Sequence, residues 1–438
     1  MEKTGLINQL ARLETSGLIQ LVETLPELEY LFRHAMVQDA AYASLTKHDR
    51  RRLHLVIGEA LEQTYPERSE ELAGLLAHHF SLAGEAHKAI DYSHRAARRA
   101  AGRYAYDEAV QHLQNALELA SEPAYQNFRV PLLEELADVY RLLRKGAAAI
   151  EIYKQALDLL QDNLSAEDLA CLQLHRKIVQ TVAELKWAVD REHYDAVNQA
   201  RATSQERLLA WLQPAKHTLP QVDTIRILRT LSLDAWRNQS PSDWEAARNY
   251  ALRAVELANQ VGIPNERSAA LGALATAYLG LGQLQEYLDA ALERLKMTKA
   301  PAFEHLHELL DSQRDAGNAL LCLGQYHQAL IYLKEAENLA VRLNAIDQQF
   351  NSLALQQLCY FLLDQWDHVL QVEERWRTLV RKFSREQTGP TCFPAALSAS
   401  VRSRRGELDL AESLQQESYS IMLAVSGGID RWLRNQFF

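Results

Sequence analysis

Residues 323–340 read LGQYHQALIYLKEAENLA. Gly324 is followed two residues on by Tyr326, then by Ala329 and, seven residues later, by Ala336. A Gly closing an apolar helical run supplies a left-handed C′ residue without steric cost. The aromatic then opens a second helix and packs back on the first. Ala329 and Ala336 share one face of that helix, where small side chains admit a neighbouring helix closely. The stretch predicts a helical hairpin.

The same frame recurs around Tyr106, Ala109 and Ala116, around Trp244, Ala247 and Ala254, around Gly282, Leu284 and Tyr287, at Trp366 and Val369, and at Gly406, Leu408 and Ala411. Anchors at 247, 287, 329, 369 and 411 are separated by 40, 42, 40 and 42 residues, and Ala109 and Ala149 by 40. A weaker unit sits around Tyr194 and Val197. Since one hairpin cannot bury its own apolar face, a period this regular predicts stacked units sharing one extended core, eight or nine of them.

This pattern resembles the tetratricopeptide repeat over roughly residues 70 to 420, with the family's small and aromatic positions at Gly324, Tyr326, Ala329 and Ala336 and at Tyr140, Ala149, Tyr153 and Ala156. The units are longer than the family's usual 34 residues, and the Trp at the fourth position and the closing Pro are largely absent. Long units of this kind are similar to the repeat regions of bacterial signalling ATPases and of transcription activators of the maltose-regulator type. The resemblance implies an all-α, right-handed tetratricopeptide-type helical solenoid.

The totals agree with an array or several domains. At 438 residues the chain exceeds one compact core, and only 17 Gly and 11 Pro argue against long linkers. A formal net charge of −10 repels phosphate backbones and anionic membranes on average. The four cysteines, Cys171, Cys322, Cys359 and Cys392, form no CxxC, which predicts neither a zinc site nor a disulfide framework but reduced thiols in a cytoplasm. Neither a signal peptide nor a membrane span is expected from any apolar run. The longest candidate, AALGALATAYLGLG at residues 269–282, suits a tightly packed helix.

Ahead of the repeats, Leu6, Leu10 and Leu13 share one helical face, closed by Ser16 and Gly17. LIQLVE and LEYLFR then read as two strands joined around Thr24, Leu25 and Pro26. Helix followed by hairpin is the end of a winged helix, so residues 1–33 are expected to be a partial winged helix, 34–69 connecting helices, and 70–438 the solenoid. The phrase YLFRHAMVQDAAYASLTKHDRRRLHLVIGEALEQTYPE resembles a segment of bacterial signal-transduction NTPases, often joined to class III nucleotidyl cyclase domains. Phe32, Arg33, His34, Val37, Gln38, Ala41, Tyr42, Arg51, Arg52, Leu53 and His54 carry that resemblance.

The family's nucleotide-binding run, G-x-x-x-x-G-K-[ST], does not occur in the chain. The expectation is therefore a non-enzymatic interaction and regulatory module without cofactor or metal, either the remainder of a larger ATPase or a separate subunit. An NTPase or cyclase domain, in cis or in trans, is the partner this implies. The alternative is a DNA-binding transcriptional regulator using the N-terminal wing. The clusters Arg50-Arg51-Arg52, Arg95-Arg98-Arg99-Arg103 and Arg402-Arg404-Arg405 are expected to pair with acids or dock a domain.

His78-His79 points two rings about 100° apart on a helix and predicts no metal pair. His307-Glu308-Leu309-Leu310-Asp311 departs from H-E-x-x-H at its last ligand and reads as a solvated helix. Peptide or protein binding is the usual work of such repeats, on the face formed by the first helix of each unit. Glu134, Asp138, Arg141, Arg314, Asn318 and Asn351 are the candidate contacts there, and the absence of a Lys clamp disfavours a receptor for C-terminal carboxylates.

Overall fold

The computed structural model describes residues 3–23, 29–103, 105–161, 169–185, 191–213, 220–238, 241–299, 303, 305–383 and 392–426. The chain divides into two compact units, Met1–Leu143 and Arg144–Phe438. Its elements are those of a tetratricopeptide-like helical array with one short β-hairpin.

The first unit opens with α1 (Lys3–Thr15) and the antiparallel strands β1 (Ile19–Glu23) and β2 (Glu29–Phe32). Ile19 pairs with Phe32 and Leu21 with Tyr30, and the register shifts between Leu21 and Glu23. The turn expected at Thr24, Leu25 and Pro26 lies outside the described residues. Two helices follow, α2 (Ala35–Ser44) and α3 (Lys47–Thr64), the latter capped by the Thr46 side chain accepting from the Asp49 backbone N–H at 3.1 Å. Then come α4 (Ala73–Ala83), α5 (Ala86–Gly102), α6 (Tyr106–Leu119) and α7 (Arg129–Leu142), each packed on the next. Phe80 of α4 is fully buried and stacks on Tyr92 of α5, and Gly58 of α3 lets that ring lie against its backbone.

The expected apolar face of α1 is not covered among the described residues: Leu6 and Leu13 are exposed. The same holds across the N-terminal elements, where Ile19 is the buried large apolar residue and α2 buries none of its side chains.

The second unit contains α8 (Gly146–Gln161), α9 (Leu169–Leu185), α10 (Tyr194–Trp211), α11 (Gln221–Arg237), α12 (Trp244–Val261), α13 (Pro264–Gly280), α14 (Leu284–Thr298), α15 (Leu306–Cys322), α16 (Tyr326–Arg342), α17 (Ile346–Leu362), α18 (Trp366–Phe383), α19 (Cys392–Arg404) and α20 (Leu408–Ser426). From α9 onward odd and even helices form hairpins, and the odd helices also contact one another in series. The odd helices make an inner row and the even ones a second layer.

The expected stops are in place. Gly324 has φ 77°, its N–H bonds the Leu321 carbonyl at 3.0 Å, and the Gln325 N–H bonds the Leu320 carbonyl at 2.8 Å. This paired closure is the Schellman motif. It repeats at Gly84, Gly282 and Gly406. Asn344 and Asp364 make the same closure with φ of 51° and 55°, and Arg144 has φ 62°, so among the described residues three junctions place a side chain where glycine fits without cost. The anchor alanines Ala109, Ala149, Ala247 and Ala329 are fully buried, as are their partners seven residues on, which is what close helix approach requires. Gly317 of α15 serves the same end, since a Cβ there would meet Leu333 Cγ at 2.7 Å.

Candidate peptide-binding face

The inner helices share a numbering of their own. Asp223, Glu266, Glu308 and Gln348 are each the third residue of their helix, in α11, α13, α15 and α17. A carboxylate there meets the partial positive charge of the helix N-terminus. Each also accepts a hydrogen bond from the preceding odd helix. Gln173 of α9 donates to Asp223. Arg226 and Arg229 of α11 donate to Glu266 at 2.8 and 3.3 Å. Ser268 of α13 donates to Glu308 at 2.7 Å, and Arg314 of α15 donates to Gln348. The result is a polar ladder that ties four successive rungs at one register.

The ninth position completes the pattern. Arg229 and Arg314 occupy it in α11 and α15, and each reaches the acceptor of the following odd helix. In α13 the ninth residue is Gly272. Arg294 of α14 fills that gap, lying so that a Cβ on Gly272 would sit 2.9 Å from its Nη1. Its guanidinium donates to Ser268 Oγ at 3.2 Å, Glu308 at 2.7 Å and Asp315 at 2.6 Å.

Burial acts against charge in this cluster and is outweighed for most of its members. Arg294, 5% exposed, is desolvated, but Asp315, Glu308 and Asp311 hold its pKa above the usual guanidinium value. Burial likewise opposes ionisation of Glu308, and Arg294 and the Ser268 hydroxyl bring its pKa below the usual carboxylate range. Asp311 goes the other way: burial dominates, the neighbouring Asp315 and Glu308 add to it, and its pKa rises despite Arg314 at 3.2 Å. Burial raises the Tyr287 phenol, which accepts from Asn318 Nδ2 at 3.1 Å.

Three of the sequence candidates lie on odd helices of the second unit. Asn351 is the sixth residue of α17, Arg314 the ninth and Asn318 the thirteenth of α15. All three are half-buried. Asp311, in the segment expected to be a solvated helix, is the sixth of α15 and with Glu308 belongs to the ion network, while His307 is exposed. Glu134, Asp138 and Arg141 are the sixth, tenth and thirteenth residues of α7 in the first unit, half-buried and each engaged by a neighbouring group. Arg226, Arg229, Glu266, Arg294 and Gln348 were not anticipated. The signal for the acceptors is their spacing, 43, 42 and 40 residues from Asp223 to Gln348.

Among the described residues no group of three or more His, Cys, Asp or Glu side chains is placed to hold a metal ion, and no helix is long and apolar enough to cross a membrane. His78 and His79 belong instead to a ring cluster with His54 of α3. The arginine clusters pair as expected in part: Arg95 with Glu70 and Asp91, Arg98 with Glu135, Arg402 with Glu407 and Arg405 with Asp367.

No family model matches the sequence, and no curated protein matches it. Among solved structures the chain is similar to the signal transduction ATPase with numerous domains (STAND) protein with a tetratricopeptide repeat sensor from Pyrococcus horikoshii, at 14% identity and a TM-score of 0.49, over 95% of this chain and 60% of that one. The chain thus spans about 60% of the length of that protein. It is also similar to the apo form of the quorum sensor NprR from B. thuringiensis, at 12% identity and a TM-score of 0.45, over 95% of this chain and 96% of that one. A third similarity is to a Rap protein complexed with competence and sporulation factor, at 10% identity and a TM-score of 0.48, over 77% of this chain and 98% of that one.

Proposed function

We propose that the chain is a non-catalytic interaction and regulatory module of a bacterial signal-transduction ATPase, acting as its sensor or scaffold arm in the cytoplasm. The inner row of the second unit takes a peptide or an extended protein segment. The polar ladder carries this reading: charged side chains of successive inner helices are committed to fixing the row, and the sixth, ninth or tenth, and thirteenth positions are held at set intervals along it. Asn318 and Asn351 supply amide donors and acceptors suited to an extended backbone. Glu134, Asp138 and Arg141 occupy the same register in the first unit and are proposed as further contacts, alongside Arg314.

The N-terminal helix and hairpin, residues 1–33, and the connecting helices of 34–69 are proposed to dock an NTPase or cyclase domain, in cis or in trans. Leu6, Ile7, Val22, Leu31, Met36 and Val56 are exposed there, Met36 at 83%. Apolar exposure of that density supports a protein-facing surface.

Selection of a displayed random-peptide library on the full chain tests the first part. A selected peptide whose affinity falls tenfold or more in Asn318→Ala or Asn351→Ala supports it, about 1.4 kcal/mol for each such contact. A library yielding only peptides indifferent to both substitutions contradicts it. ATP hydrolysis or cyclic-nucleotide formation by the purified chain at enzymatic rates would overturn the non-catalytic assignment.

A further inference from the structure

In the first unit, three elements meet at one imidazole. His54 of α3 is buried; its Nε2 lies 3.0 Å from the Tyr42 hydroxyl of α2, and its Nδ1 lies 2.9 Å from Nδ1 of His79 on α4. His78 of α4 adds a ring at 6.0 Å, edge-on. Arg50 of α3 stands over the Tyr42 ring at 5.1 Å from its centroid. Among the described residues no carboxylate is bonded to any of the three imidazoles. α2 buries none of its side chains, and the Tyr42–His54 bond and the Arg50 contact tie it to α3.

We propose that Tyr42, His54 and His79 form an acid-sensitive latch that holds α2 against α3 and α4. The proton count sets its behaviour. Two Nδ1 atoms at 2.9 Å share one hydrogen, so one ring donates and the other must offer a lone pair. One imidazole of the pair can accept an extra proton and keep the contact. Two cannot, because both Nδ1 atoms would then be donors facing each other, with the Arg50 guanidinium nearby adding like charge. The pair must separate, and His54 leaves its place beneath Tyr42.

The titration runs the same way. Burial, then the neighbouring histidines, lower the pKa of both His54 and His79. A histidine whose folded pKa lies below its unfolded value contributes stability that is full above about pH 6.5 and lost as pH falls from there through the folded pKa. The latch is therefore closed at neutral pH and opens in mild acid. It belongs to the first unit and does not depend on the peptide-binding reading.

Hydrogen exchange on the full chain tests it, at pH 7.5 and 5.5 with labelling times scaled for intrinsic rates. Protection of residues 35–44 should fall about tenfold for each unit of pH below the imidazole range, while residues 86–102 of α5 keep theirs. His79→Asn leaves an amide near the Nδ1 position without a titrating group, and should flatten the response. Tyr42→Phe should exchange rapidly in α2 at both pH values. The proposal is overturned by equal α2 protection at both pH values, by loss of α2 and α5 together, by a full acid response in His79→Asn, or by wild-type protection at pH 7.5 in Tyr42→Phe.

Discussion

Gly272 and Arg294 are complementary: the glycine stands at the helix position where α11 and α15 carry an arginine, and the Arg294 guanidinium occupies the space its side chain would need. The substitution Gly272→Ala is expected to push Arg294 off Glu308 and Asp315. Overpacking of this kind costs about 2 kcal/mol, offset by roughly 1 kcal/mol of better helix propensity. Urea denaturation should register a net loss near 1 kcal/mol. In an Arg294→Met background the loss should disappear, because the clash is with the guanidinium.

Arg294→Met by itself leaves Glu308 and Asp315 facing each other in a desolvated site. Removing one partner of a buried ion cluster typically costs about 3–5 kcal/mol. Glu308 has its folded pKa lowered by Arg294 against burial, so its stabilising contribution is present above the unfolded carboxylate pKa and lost as pH falls through the folded one. The difference between wild type and variant should be large at pH 7 and narrow towards pH 4, as measured by denaturant midpoints.

Asp364 makes the helix closure that Gly324 makes in the preceding unit, at φ 55°. A non-glycine residue in that region costs on the order of 1 kcal/mol. Asp364→Gly should raise stability by about that amount and raise the melting temperature, whereas Gly324→Ala should lower both.

Gly317 and Leu333 meet where α15 crosses α16. Gly317→Ala is expected to destabilise by about 1–3 kcal/mol. The same change in a Leu333→Ala background should cost less, and the coupling in a double-mutant cycle measures how tightly the two helices approach.

The hairpins, their closures and their small-residue contacts were legible because each depends on residues within one period: Gly324, Tyr326, Ala329 and Ala336 act locally. Asn344 and Asp364 escaped as stops because a left-handed asparagine or aspartate leaves no mark as plain as glycine. The ladder was legible only in part. Arg314 follows from helix register, but Arg294 lies on an even helix and enters the inner row only because Gly272 vacates a place for it. That relation joins residues 22 apart on different helices, and no periodic pattern announces it. Likewise the His78 and His79 rings, expected to point apart, lie edge-on 5.6 Å from each other, and the third ring, His54, comes from α3.

The central claim, that the inner row of the second unit is the binding face, is tested most directly by a hydrogen-exchange footprint of the full chain with and without a library-selected peptide. The account predicts slowed exchange in α11, α13, α15 and α17, lost together with binding in Asn318→Ala. Slowed exchange confined to the even helices or to α1–α3, with the inner row unchanged, would contradict it.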